Sequence, residues 1–346
     1  MTKIITTMGD KRLSFIGRIE RGKSRATLCW CGSQIALRFR GTTICLIGEN
    51  DNFGSETYIG AVIDGQERSY KVGGSCKTEL TLAEGLEECE HEIIIYKRME
   101  GHYFTVSEVI TDGELLDPPE KPQKRIEVYG DSVSAGSVVD ALDYVGKSDP
   151  EDNHGQWDNA WHAYPRLIAE MLPAEVYDTS QGGIAIFDRT GYFEMPDTRG
   201  VESCYNKVRY SSYRPMSEWD FSFRPHVVIM AVGQNDAYPD PDCLRNMDYY
   251  EKWVGKYIEI IESIRSHAPR SAVVLALTVL QHDPVWDDAL EDIANRLGGA
   301  EKLVYHFRYT RCGKATPGHP RYPEQVEMAT EMTDFLKTLP PKVWQD

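Results

Sequence analysis

The sequence is short of positive charge. Its 38 Lys and Arg stand against 54 Asp and Glu, a formal net charge of −16. Nucleic-acid affinity rests on neutralising phosphates with cations, so a polyanion-binding role is set aside and a neutral substrate suits the chain better. The surplus acid serves solubility first. Long apolar runs are also missing. Met1-Thr2-Lys3-Ile4-Ile5-Thr6-Thr7 holds no secretory core, and no stretch approaches the ~20 apolar residues needed to span a bilayer. The 8 cysteines (Cys29, Cys31, Cys45, Cys76, Cys89, Cys204, Cys243 and Cys312) contain no Cys-x-x-Cys pair and no zinc spacing. Cys29 and Cys31 fall on one face of a strand, which suits buried thiols. A reducing cytoplasm is therefore the expected compartment, with no membrane partner. Internal repeats and low-complexity tracts are absent as well.

At 346 residues the chain exceeds one ordinary core, and two domains are expected. Residues 1–117 read as all-β. Short β-rich runs cover 25–28, 35–40, 43–47, 58–63, 69–72, 92–97 and 103–106, with turn residues such as Asp64-Gly65 and Gly73-Gly74 between them. Many short strands at that spacing suggest a sandwich. In Ile35 to Phe39 the apolar Ile35, Leu37 and Phe39 alternate with Ala36 and Arg38, as in a half-buried strand. Residues 118–123 form a proline-rich linker, since Pro118, Pro119 and Pro122 can neither pair inside a sheet nor continue a helix.

From 124 to 346 the pattern changes to strand–helix alternation, the sign of an α/β domain with a parallel sheet between helices. Strands are expected at 125–130, 174–180, 226–233, 272–280 and 303–309. Helices are expected at 157–171, 246–267, 287–298 and 323–337. The segment 184–223 has little regular pattern but carries Phe187, Tyr192, Phe193, Tyr205, Tyr210 and Tyr213. Those aromatics argue against disorder. Such a loop either walls a site or makes a subunit contact, and a homo-oligomer stays open.

The domain turns on Arg125-Ile126-Glu127-Val128-Tyr129-Gly130-Asp131-Ser132. An apolar strand running into a tight Gly-Asp-Ser turn exposes Ser132 at the carboxyl edge of the sheet, where open α/β folds place ligands. The start of the following helix favours developing negative charge there. Ser132 is the candidate nucleophile. A second apolar strand, Val227 to Val232, ends in Gly233-Gln234-Asn235-Asp236; Ala174 to Ser180 runs into Gln181-Gly182-Gly183; and Pro317-Gly318-His319-Pro320 precedes the last helix. Trp286 lies near a sheet edge, where an aromatic ring can stack on a sugar face. Trp161 and Tyr322 are further aromatic candidates. His282, just beyond the 272–280 strand, is a rival base but reads better as a loop histidine. His154, His162, His226, His267 and His306 have no metal spacing and read as structural or surface groups.

Taken in order, these motifs resemble the SGNH (GDSL-type) hydrolase superfamily. The whole chain resembles carbohydrate esterase family 2, with Phe15-Ile16-Gly17-Arg18, Gly32-Ser33-Gln34-Ile35-Ala36-Leu37-Arg38-Phe39-Arg40-Gly41-Thr42 and Val62-Ile63-Asp64-Gly65 carrying the likeness at the N-terminal end. That resemblance implies a jelly-roll β-sandwich before a three-layer SGNH esterase domain. It implies removal of O-acetyl groups from xylan- or mannan-type oligosaccharides through an acyl-enzyme. Ser132 would be the nucleophile and His319 the base; the Ser132 and Gly183 backbone N–H groups and the Asn235 amide would hold the oxyanion. Trp286 would contact substrate. No metal and no cofactor is implied. Asp131 and Asp236 read as turn-bonding groups. The superfamily's usual Asp-x-x-His-Pro is broken here, since Thr316 and Pro317 carry no carboxylate. The preferred reading is a dyad whose imidazole is oriented by a backbone carbonyl; the other is an acid from elsewhere in the chain. Two different functions stay open: a short-chain lipid or thioester hydrolase on the same site, and a sugar-binding protein with a lapsed hydrolase domain.

Overall fold

The computed structural model describes residues 3–53 and 56–345. The chain divides into two compact units. The first comprises residues 1–121 with His154–Gln156, and the second comprises 122–153 and 157–346. The expected linker thus straddles the boundary.

The first unit is two antiparallel sheets. Its strands are Ile4–Thr7 (β1), Ser14–Ile16 (β2), Ile19–Arg21 (β3), Ala26–Leu28 (β4), Gln34–Gly41 (β5) and Ile44–Asn52 (β6). Thr57–Ile63 (β7), Gln66–Val72 (β8), Cys76–Ala83 (β9), Cys89–Lys97 (β10), His102–Thr111 (β11) and Glu114–Leu116 (β12) follow. One sheet runs β3-β4-β11-β6-β9 with β1 on β11; the other runs β12-β5-β10-β7-β8 with β2 on β5. Their facing side chains, among them Leu37, Phe39, Leu46, Ile59, Ile93, Ile95, Phe104 and Val106, form one apolar core. The alternation read in Ile35 to Phe39 therefore points inward as expected. The strand β9 was not expected. Lys77, Thr78, Glu79 and Thr81 leave it little apolar alternation, because it is a sheet edge with one side chain in two facing water.

The second unit is a five-stranded, wholly parallel sheet. Lys124–Gly130 (β13), Ala174–Ser180 (β14), Val227–Ala231 (β15), Ala272–Leu275 (β16) and Val304–His306 (β17) stand in the order β14-β13-β15-β16-β17. Its helices are Ser132–Ala135 (α1), Tyr164–Met171 (α2), Val201–Cys204 (α3), Met247–His267 (α4), Val285–Arg296 (α5) and Tyr322–Lys337 (α6). Leu167 and Ile168 of α2 and Met328, Met332 and Leu336 of α6 pack with Ile126, Val128 and Ile229 in one core. Trp253 and Tyr257 of α4 and Trp286 and Leu290 of α5 are buried too, beside the alternate strand residues Val228, Met230, Val273 and Leu275.

Several expected elements shorten: the strand placed at 303–309 keeps only Val304–His306 and that placed at 226–233 only Val227–Ala231. The helix placed at 157–171 begins only at Tyr164, because Pro165 fits the first turn of a helix but not its interior. The strand placed at 272–280 ends at Leu275; the buried run beyond it leaves the ladder, although Ala276 N–H still donates to Met230 C=O (3.0 Å). Among the described residues, no helix is long and apolar enough to cross a membrane.

Candidate active site

The strand order decides where a site can form. The chain runs from β13 outward to β14 on one side and then crosses to β15 on the other, so the switch point lies between β13 and β15. Ligands in open α/β sheets bind at the carboxyl ends beside such a point. Gly130 is in register with Ser180 of β14 and Ala231 of β15, so the three motif turns leave the sheet at one level.

Hydrogen bonds then tie the turns together. Gln181 N–H donates to Gly130 C=O (3.2 Å). The Gln234 amide donates to Asp131 Oδ2 (2.6 Å), and the Asn235 amide donates to Ile184 C=O (3.0 Å). Asp131 caps α1 by accepting from Val133 N–H (3.0 Å), and burial pushes its carboxyl up. The helix it caps is one turn long and stops at Gly136 in the left-handed conformation. The expected macrodipole is therefore small, since peptide dipoles must sum along a helix. What remains for an anion is the individual N–H groups of the turn.

Ser132 is 8% exposed. Its Oγ lies 2.8 Å from His319 Nε2. On the far side of the ring, Nδ1 lies 2.7 Å from Asp149 Oδ2, and His319 main-chain N–H donates to Asp149 Oδ1 (3.0 Å). A carboxylate at Nδ1 fixes that nitrogen as the proton carrier and leaves Nε2 to accept from the serine hydroxyl. The dyad preferred on sequence is thus corrected. The orienting group is not a backbone carbonyl but a carboxylate 170 positions away in the chain. Asp149 lies in an irregular loop after the turn Leu142–Tyr144, and no spacing or periodicity in the sequence marks it.

Arg321 holds this acid in place. Its side chain is fully buried; it donates to Asp149 Oδ1 (3.0 Å) and to the His319 carbonyl. Gly318 has φ +105°, and a Cβ there would sit 2.5 Å from Asp149 Oδ1, so glycine lets the carboxylate reach the histidine. Burial works against the Asp149 charge, yet its bonds to His319 and the Arg321 cation hold the carboxyl at about 2. Burial alone would lower the His319 imidazole; Asp149, with the more distant Asp131 and Asp158, raises it above its ordinary value.

Gly183 adopts φ +72°, with Tyr192 Cβ 2.8 Å from where its own Cβ would be. Among the described residues, neither the Ser132 nor the Gly183 N–H meets an internal acceptor. The Asn235 amide spends one N–H on Ile184 and keeps the second. The three proposed oxyanion donors therefore leave adjacent turns of one sheet edge. Asp236 is a turn-bonding group of an unexpected kind. It accepts from Ile186 N–H (2.7 Å), Phe187 N–H (3.3 Å) and the Thr190 hydroxyl (3.1 Å), and burial raises it to about 6. It anchors the start of the 184–223 segment, which is ordered with only the short helix α3 inside it.

Trp286 is corrected. It is 1% exposed and packs edge-on against Trp253 with centroids 5.4 Å apart, so it is a core residue and no sugar platform. Trp161 and Tyr322 keep partly exposed rings. His282 is held by Leu280 C=O and Asp287, away from Ser132 as preferred, but with His306 and Cys312 it belongs to a cluster that sequence spacing did not reveal.

A parallel 2-1-3-4-5 sheet with Ser132, His319 and Asp149 hydrogen-bonded in line at its carboxyl edge, in a chain whose first unit is an antiparallel sandwich, is similar to the arrangement of SGNH-type hydrolases with an N-terminal jelly-roll domain. Residues 15–119 match the family model described as "Carbohydrate esterase 2 N-terminal". The chain is 26% identical over 342 residues to the cellulase/esterase CelE of Acetivibrio thermocellus, covering 93% of this chain and 39% of that protein. It is 23% identical over 265 residues to an acetylxylan esterase/glucomannan deacetylase of Cellvibrio japonicus, covering 72% and 67% respectively. The solved family two carbohydrate esterase from Cellvibrio japonicus superposes with a TM-score of 0.82 at 20% identity over 100% of this chain and 99% of its own. The first unit thus matches carbohydrate esterase family 2, and the whole chain is similar in fold to a solved family two carbohydrate esterase.

Proposed function

We propose that this chain is a carbohydrate O-acetylesterase acting on acetylated xylan- or mannan-type oligosaccharides. The observation that carries the reading is the line Ser132 Oγ–His319 Nε2 at 2.8 Å and His319 Nδ1–Asp149 Oδ2 at 2.7 Å. The acetyl-sugar substrate is carried over from the name of the Cellvibrio japonicus relative.

His319 Nε2 takes the Ser132 proton as Oγ bonds to the acetyl carbonyl carbon. The carbonyl electrons move onto oxygen, where the N–H groups of Ser132 and Gly183 and the Asn235 amide accept the negative charge. Collapse breaks the ester C–O bond, and the imidazolium gives its proton to the departing sugar hydroxyl. Water then repeats the cycle on the acetyl-serine, releasing acetate. Asp149 stays ionised throughout, holding the ring and stabilising its charged form. The eight cysteines, none of them in a disulfide, favour substrates met in a reducing compartment as imported oligosaccharides.

The alternative of a lapsed hydrolase that only binds sugar drew on the missing acid before His319. With Asp149 at the ring that motive disappears. The test is acetate release from acetylated xylan and mannan oligosaccharides by wild type and Ser132→Ala, beside esters of longer acids. Release that vanishes in the variant supports the reading. Binding without turnover on any ester sinks it, and preference for long acyl chains would move the activity to lipid or thioester hydrolysis.

A further inference from the structure

Four side chains near the carboxyl ends of β16 and β17 form a cluster that the ester chemistry leaves unused. His282 lies in the loop before α5, Asp287 in the first turn of α5, His306 at the end of β17, and Cys312 in the segment leading to His319. One donor atom from each of His282, Asp287 and Cys312 lies within 4.8 Å of the others. Cys312 Sγ is 3.7 Å from His282 Nε2 and 3.3 Å from Asp287 Oδ1, and His282 Nε2 is 3.0 Å from Asp287 Oδ2. Bonds of about 2.0–2.3 Å to one tetrahedral ion set neighbouring N, O and S donors roughly 3.2–3.7 Å apart. His306 Nε2 lies outside that group of three; it is 3.7 Å from Asp287 Oδ1 on a side chain only 10% exposed, and among the described residues it has no hydrogen-bond partner.

The orientation of His282 is a second, separate observation. Its Nδ1 lies 2.7 Å from Leu280 C=O, and a carbonyl can only accept, so Nδ1 carries the proton. Metal-bound imidazoles are fixed in this way by their other nitrogen. With no proton on Nε2, the lone pair of that nitrogen faces a carboxylate oxygen 3.0 Å away. Two acceptors at that distance repel unless a cation, either a proton or a metal ion, lies with them.

We propose that His282 Nε2, Asp287, His306 Nε2 and Cys312 Sγ hold one transition-metal ion, with Zn²⁺ the best match to two imidazoles, a carboxylate and a thiolate. Binding breaks the Cys312 S–H bond, leaves the sulfur on the ion as thiolate and releases the proton to water. With His306 Nε2 drawn in from beside Asp287, four protein donors close the coordination shell, so the ion is structural and leaves the ester chemistry to Ser132. It joins α5 and β17 to the chain that delivers the base. That chain already donates from Gly313 N–H to Thr278 C=O (3.3 Å) and from Ala315 N–H to Val279 C=O (2.9 Å) on its way to His319.

The experiment strips the full chain with a chelator and reloads it with Zn²⁺, and separately with Co²⁺. About one ion per chain is expected, with a Co²⁺–thiolate charge-transfer band and tetrahedral visible bands. Tm should rise with Zn²⁺ in proportion to the logarithm of its excess over Kd. Cys312→Ser should lose the thiolate band and the Tm rise, and His306→Gln should weaken Zn²⁺ binding about tenfold or more. Cys89→Ser, which removes a thiol 3.7 Å from His91 Nε2 in the sandwich unit, should keep both signals. A wild type with no thiolate band and no Tm response overturns the proposal and leaves a protonated His282–Asp287 pair. A band that survives Cys312→Ser and vanishes in Cys89→Ser overturns it as well.

Discussion

Asp149 accepts from His319 twice, through the ring Nδ1 at 2.7 Å and through the main-chain N–H at 3.0 Å. The two carboxylate oxygens thus clamp both the ring and the backbone that carries it. This double contact positions Nε2 at Ser132 although the residues before His319 supply no acid.

The pH dependence follows from that clamp. His319 works as a base only when neutral, and its acids raise its pKa above the ordinary imidazole value. Activity should therefore be full above that raised pKa and fall as pH drops through it. In Asp149→Asn the acid limb of kcat/KM should move to lower pH, and the plateau should drop about 10²–10⁴-fold. A pH–rate profile with unchanged limb and plateau would remove Asp149 from the mechanism.

Arg321 should matter through Asp149 without touching substrate. Arg321→Lys keeps the charge but loses the planar fork that reaches both Asp149 and the His319 carbonyl. A stability loss on the order of 2 kcal/mol is expected, with kcat falling and KM nearly constant. Denaturant unfolding and steady-state kinetics check the split; a change confined to KM would place Arg321 at the substrate instead.

Asn235→Ala should reduce kcat about 10²–10³-fold with KM little changed, the signature of a donor that matters most in the transition state. Gly183→Ala should be costly for a different reason. A left-handed φ of +72° and a Cβ 2.8 Å from Tyr192 Cβ force the turn to move, so both Tm and kcat should fall. Equal activity of Gly183→Ala and wild type would contradict the placement of that N–H.

Trp286→Ala should lower stability by about 3–5 kcal/mol by opening a cavity beside Trp253. KM for acetylated oligosaccharides should stay constant at temperatures where the variant is folded. A raised KM with an unchanged Tm would restore the ring to substrate contact.

What the sequence made legible is the sheet edge. Gly130-Asp131-Ser132, Gln181-Gly182-Gly183 and Gly233-Gln234-Asn235 each follow a strand-like run, and parallel strands bring such ends together by construction. Local patterns of that kind survive in one dimension. Asp149 does not belong to one: it sits in a polar loop whose contact with His319 exists only after the chain has folded. The cluster of His282, Asp287, His306 and Cys312 is hidden for the same reason, since its members come from two loops, a helix start and a strand end. Trp286 misleads in the opposite way. A tryptophan near a sheet edge can face water or the helix layer, and only the neighbouring Trp253 decides.

One carboxylate, Asp236, fastens the start of the 184–223 segment to the turn that carries Asn235. The segment is therefore an interchangeable part with a fixed socket. Substitutions further along it can leave the turn that carries Asn235 in place, provided an acid remains at 236 to receive Ile186, Phe187 and Thr190.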